Sequence, residues 1–338
     1  MRRSRCSLRL ASAALAAGLL AAGGWDAVPA AAQPVSAGVE GGTFLLLPVG
    51  ARAAALGQAA TADGGTSESV FWNPAGLASL ARGEFALHHY DAFFGSGDAL
   101  VIAVPSSRLG SFAFTAYLVN YGDLAVTRAD LGPEPVGQIS PRNLALMASY
   151  ATDVVSGVAV GLTYKLVQFR VDCTGDCSQV PTATGTTNAV DVGLRYDASG
   201  WLPVVFGVSL KNLGFPLQVN NRAQEDPLPT RVVVGVSVAV VRAPAGTQGI
   251  DARILADVQG TLNEGSLAPV TLVGVESGVG QLVRLRAGYA FLNSNARGPS
   301  LGFGVRFGDI AFDLASVFSV AEAVGDKQPV HISFRVIF

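Results

Sequence analysis

LVRLRAGYAF, residues 282–291, alternates without a break: Val283, Leu285, Ala287, Tyr289 and Phe291 fall on one face, and Arg284, Arg286 and Gly288 on the other. Successive side chains of a strand point to opposite faces, so this period of two predicts a strand with one apolar face and one small or charged face. The pattern repeats outward from there. GPSLGFGVRFG, residues 298–308, sets Leu301, Phe303, Val305 and Phe307 against Gly302, Gly304 and Arg306. Ile310, Phe312, Leu314 and Phe318 oppose Asp313, while Val330, Ile332, Phe334, Val336 and Phe338 oppose His331, Ser333 and Arg335. Upstream, Val232, Val234, Val236, Val238 and Val240 oppose Val233, Gly235, Ser237 and Ala239.

Half of the chain is hydrophobic and only 14% is charged. Beyond the N-terminal leader, however, no uncharged apolar run approaches the roughly 18 residues of a membrane helix. A helical membrane protein is excluded, and a formal net charge of −2 offers no basic surface for nucleic acid. A secreted sandwich would show the same alternation. Strand number and loop pattern argue instead for a transmembrane antiparallel β-barrel of about fourteen strands, an even number with lengths suited to tilted membrane strands. Short turns are expected at residues 105–109, 152–155, 198–202, 242–248, 279–281 and 308. Longer connections are expected at Gly122–Pro141, Asp172–Gly185, Gly214–Pro229 and Val320–Gln328. Such alternation between short periplasmic turns and long external loops is typical of outer-membrane barrels.

Residues 1–32 read as an export signal: Arg2, Arg3, Arg5 and Arg9 precede the apolar Leu10–Leu20, and Ala30–Ala32 supply a cleavage site. Residues 33–82 are assigned to an N-terminal plug and 83–338 to the barrel. The terminal HISFRVIF, ending in Phe338, resembles the signal by which such barrels are recognised for insertion. The outer membrane of a Gram-negative-type bacterium is the expected location, with its lipid and insertion machinery as partners. Tyr90, Phe93, Tyr117, Tyr121, Tyr150, Tyr196, Trp201, Tyr289 and Phe291 are expected in interfacial aromatic girdles.

Within the plug, GARAAALGQAATADGGTSESVFWNPAGL (Gly50–Leu77) begins with a short helix over Ala51–Leu56 that Gly57 stops, and it ends in Asn73-Pro74-Ala75-Gly76. Alone, NPAG is a turn: Pro74 biases Asn73 away from helix and Gly76 permits a tight reversal. Together, GARAAALGQA and FWNPAGLA resemble the N-terminal segment of the PorV/PorQ family, within the FadL-type superfamily of outer-membrane barrels. The resemblance covers Phe44–Ser79. It implies a fourteen-stranded barrel occluded by a plug whose motif residues here are Arg52, Phe71, Trp72, Asn73, Pro74, Ala75 and Gly76.

The inward faces are expected to carry Lys165, Asp191, Arg195, Lys211, Asp251, Arg253, Asp257, Arg284, Arg286, Arg306, Asp313, His331 and Arg335. These charges compensate one another or the plug, with Arg52 meeting Asp251, Asp257 or Asp313, or else they tune selectivity. Cys173 and Cys177 lie in a predicted external loop of an oxidising compartment and are expected to form a disulfide; further Cys or His ligands for a metal are missing nearby. No cofactor motif follows the leader, and His88, His89 and His331 lie in no catalytic motif, so no catalytic residues are expected. Two functions compete. One is a non-enzymatic component in export or surface handling of secreted proteins, as in type IX secretion, with secreted cargo or secretion-system proteins as partners. The other is a FadL-like transporter of hydrophobic small molecules, binding its ligand between plug and wall near Phe44, Leu46, Phe71 and Trp72.

Overall fold

The computed structural model describes residues 40–338 except 129, 131, 178–182, 219–224, 243–248, 263–268, 281, 292–297 and 319–327. The export signal and residues 33–39 of the expected plug lie outside the described residues. In chain order the strands are β1 (Glu84–Ala92), β2 (Gly95–Ser106), β3 (Gly110–Asn120), β4 (Leu124–Arg128), β5 (Gly132–Val155), β6 (Val158–Gly175), β7 (Ala183–Asp197) and β8 (Val204–Gly214). They continue with β9 (Leu217–Gln218), β10 (Glu225–Asp226), β11 (Arg231–Val241), β12 (Ile250–Thr261), β13 (Val270–Val279), β14 (Val283–Phe291), β15 (Gly298–Phe307), β16 (Ile310–Val317) and β17 (Val330–Ile337).

Fourteen of them close into one antiparallel barrel, because β1 pairs with β17 at one seam and β3 pairs with β5 across the inserted β4. Closure leaves no open edge within the ring, which the membrane interior requires. The alternation seen in the sequence sorts the side chains. Leu285 is 62% exposed on the outside while its neighbour Arg286 is buried inside, and Leu301, Phe303 and Val305 repeat the outward face on β15. None of the described helices is long and apolar enough to cross a membrane. Most short connections gather at one end; between β15 and β16 only Gly308 and Asp309 intervene, and Gly308 takes a φ of 60° that L-residues seldom adopt.

The segment expected as an external loop at Gly122–Pro141 is instead a hairpin. β5 runs for 24 residues, far more than a membrane strand needs, and its first part pairs with β4 and with the far end of β6. The arm tolerates Pro135 at a register shift and Pro141 between the part of β5 paired with β4 and the part paired with β3. Likewise, the expected loop Asp172–Gly185 loses its flanks to β6 and β7, and β9 pairs with β10 inside Gly214–Pro229.

Residues 43–80 fold within the barrel. They form a 3-10 turn (Thr43–Leu46), helix α1 (Ala51–Ala55), helix α2 (Ser69–Trp72) and a second 3-10 turn (Pro74–Ser79). Helix α1 packs against β14, β15, β16 and β17, and the second turn packs against β2, β3, β5, β6 and β7, so the segment crosses the lumen from wall to wall.

Candidate functional site

Helices this short leave most of their backbone donors without intrahelical partners. The wall supplies acceptors to Ala51 at the start of α1 and to the connecting turns of the plug. Ser333 Oγ accepts from Ala51 N at 2.8 Å, Ser300 Oγ from Gly57 N at 3.1 Å, Asp257 Oδ2 from Ala60 N and Thr61 N at 3.0 and 2.9 Å, and Glu84 Oε2 from Ser67 N at 2.8 Å. Inward glycines let the plug backbone come this close: a Cβ on Gly193 would overlap Asn73 Oδ1, and one on Gly288 would overlap Gly57 N.

Asn73 is the joint of the plug. Its Oδ1 accepts from Ala75 N at 3.1 Å, capping the turn that Pro74 begins. Its Nδ2 donates to Thr61 O at 2.7 Å within the plug and to Leu194 O of β7 at 3.1 Å. Gly76 is held where a Cβ would crowd Ser69 Oγ and Asp63 O. Phe71 meets the rings of Tyr117 and His88 edge-on, with centroids 6.1 Å away in each case, and Phe44 lies 5.8 Å from Tyr117. Trp72 Nε1 donates to Val49 O at 3.1 Å, and the Lys211 ammonium sits 5.0 Å above the Trp72 ring. Tyr90 and Tyr117, expected in the girdles, point inward instead, and their hydroxyls stand 2.9 Å apart. They lie one pleat out of phase with the lipid-facing residues of β1 and β3, which proximity to a strand end does not reveal.

The lumen charges form two groups. Lys165 Nζ lies 2.7 Å from Asp191 Oδ2 and donates to Asn212 Oδ1 at 2.7 Å. The larger group is built from arginine. Arg52 does not meet Asp251, Asp257 or Asp313; it lies 2.5 Å from Asp63 in the plug itself and 3.3 Å from Glu276 on β13. The reason is that Asp257 is taken by plug amides, Asp251 by Arg284, and Asp313 by Arg286 at 2.6 Å and Arg335 at 3.0 Å. Arg253 joins Asp63 to Glu276, at 2.8 Å from each. Arg306 lies nearer the short-turn end, where its Nε donates to Gly308 O at 3.0 Å. Asp63 and Glu276 were not among the expected lumen charges. The run Leu272, Gly274, Glu276 and Gly278 on one face of β13 was the signal for Glu276; Asp63 looked like an ordinary turn residue. Cys173, on the extended end of β6, is disulfide-bonded to Cys177. Phe338 N donates to Gly83 O at 2.8 Å beside the β1–β17 seam.

A closed fourteen-stranded barrel with an apolar outer face and a folded segment across its lumen defines the class: a plugged β-barrel of the outer-membrane type. The chain belongs to an uncharacterised protein family, UPF0164, whose model matches residues 26–337. Among curated proteins none matches the sequence. Solved structures show the same fold. The toluene transporter TbuX of Ralstonia pickettii is 14% identical, with a TM-score of 0.56 over 86% of this chain and 98% of its own. The toluene transporter TodX of Pseudomonas putida is 13% identical, with a TM-score of 0.55 over 86% of this chain and 98% of its own. The monoaromatic hydrocarbon channel CymD is 14% identical, with a TM-score of 0.55 over 86% and 97%. At these identities the likeness shows a shared barrel fold.

Proposed function

We propose that this protein is a transporter of hydrophobic small molecules across the outer membrane of a Gram-negative-type bacterium, with the segment Phe44–Leu80 as its gate. The observation that carries the reading is the apolar seat between plug and wall, where Leu46, Phe71 and Trp72 face Tyr117 and Met147. In this closed state only about 20 Å³ is free there, room for about one water. Plug movement would enlarge the seat, with Lys165 and Lys211 at its polar edge. Likeness over nearly their whole length to transporters and channels of aromatic hydrocarbons supports the same reading.

A second reading, a non-enzymatic component in the export of secreted proteins, draws on the PorV/PorQ-like plug motif and on the tight packing of Phe44 and Leu77. Native mass spectrometry of the protein extracted gently from its own outer membrane separates the two. A lone barrel that retains a small apolar mass, lost in Phe71→Ala, is the expected result. Stoichiometric protein partners with no small ligand would overturn transport in favour of export.

A further inference from the structure

On the short-turn side of the plug lies a second space, a chamber of about 410 Å³ that the transport reading does not use. Arg52, Arg253, Arg284, Arg286, Arg306 and Arg335 line it, and the acids among them are shared rather than matched one to one. Glu276 alone lies within ion-pair distance of Arg52, Arg253 and Arg286, and Asp313 serves both Arg286 and Arg335. With Glu84 and Asp251 these make four carboxylates against the six guanidinium groups of the lining. Asp63 and Glu68 of the plug also act on these arginines, so the charges are compensated in sum and what stays open is particular guanidinium donors.

Two arginines show where donors are left. Arg306 Nε donates to a carbonyl, Gly308 O, at 3.0 Å, and Asp309, the carboxylate that its charge acts on, is exposed and ion-paired with Arg82. Arg335 reaches Asp313 and Glu84 through its Nη atoms, but its Nε is buried with no hydrogen-bond partner. A buried N–H without an acceptor is costly, and a guanidinium presents its donors as a fork suited to planar or tetrahedral oxyanions. Gly304 widens the chamber, for a Cβ there would strike Asp313 Oδ1 and crowd Arg286 Nη1.

We propose that this chamber is a binding site for a small oxyanion-bearing molecule, a carboxylate or a phosphate ester, reached from the short-turn end. Arg306 meets the anion at the mouth and Arg335 receives it deeper. The site is independent of hydrocarbon transport: a barrel that carries no hydrocarbon can still bind the anion, and failure to bind it leaves transport standing.

The test is isothermal titration calorimetry of the mature protein in detergent micelles, with benzoate in one arm and inorganic phosphate in the other. Saturable binding of either is expected, weakening as salt is raised; tighter benzoate binding assigns a carboxylate and tighter phosphate binding a phosphate ester. Arg306→Ala should weaken binding about tenfold or more, and Arg306→Lys should recover part of the loss. Two results overturn the proposal: no saturable heat from either anion, or unchanged affinity in Arg306→Ala while the barrel remains heat-modifiable. Arg306 stands at the mouth, outside the buried pairs, so its removal does not put folding at risk in the way Arg335→Gln would.

Discussion

Arg52 of the plug and Glu276 of β13 lie 3.3 Å apart, both buried, and Asp63 holds the other side of the same guanidinium at 2.5 Å. The plug is thus fastened by a charge that it shares between itself and the wall. Burial raises the cost of separating such charges, while the surrounding arginines keep Glu276 compensated.

Glu276→Gln removes a carboxylate from three arginines at once, leaving Arg52 and Arg253 to share Asp63 and Arg286 to share Asp313 with Arg335. It should cost on the order of 3–5 kcal/mol of plug or barrel stability. In planar bilayers the variant should show conducting events that the parent lacks. Traces as quiet as the parent's, from barrels that insert equally well, would show that Arg52 and Glu276 do not hold the plug.

Asn73-Pro74→Ala-Ala removes the cap on Ala75 N, the bonds to Thr61 O and Leu194 O, and the fixed φ at the start of the turn. The expected loss is roughly 2–3 kcal/mol, from about 1 kcal/mol per hydrogen bond. Amide exchange of residues 60–80 should accelerate while that of the strands stays unchanged; equal protection throughout would contradict the assignment of Asn73 as the joint.

Glu68 of the plug is buried 3.9 Å from His88 Nδ1. Desolvation pushes its carboxyl up to about 7; Asp313 adds to the rise, while Arg335, Arg52 and Arg286 oppose it. Because the folded state then holds a proton that the unfolded state releases near pH 4.5, the contribution is most favourable below 4.5 and is lost as pH rises toward 7 and beyond. Plug protection in hydrogen exchange should therefore be higher at about pH 5 than at about pH 8, by an amount on the order of 3 kcal/mol, and Glu68→Gln should flatten the difference. An undiminished pH dependence in that variant would assign it to another group.

Deleting Phe338 removes the backbone bond to Gly83 and the ring beside it, at the seam where β17 meets β1. The amount of heat-modifiable protein in the outer membrane should fall severalfold. Parent-like amounts would show that the terminal aromatic is dispensable for insertion.

The sequence by itself determined the barrel. Side chains alternate strictly across a strand, so local order separates Val283, Leu285 and Phe291 from Arg284 and Arg286, and the strand number with the alternation of short and long connections then sets the apolar face outside. The Gly-rich inward positions and the NPAG turn were equally legible, because each depends on backbone preferences of a few neighbouring residues. Only the tertiary structure decided which charges meet. Arg52 and Glu276 are 224 residues apart, and their pairing depends on the height of each strand in the barrel and on how far the plug reaches across it. Alternation fixes a face, not a height. For the same reason Tyr117 was placed at the rim when it belongs to the core under Phe44 and Phe71, and the chamber lined by Arg306 and Arg335 emerged only once β14–β17 had closed onto β1.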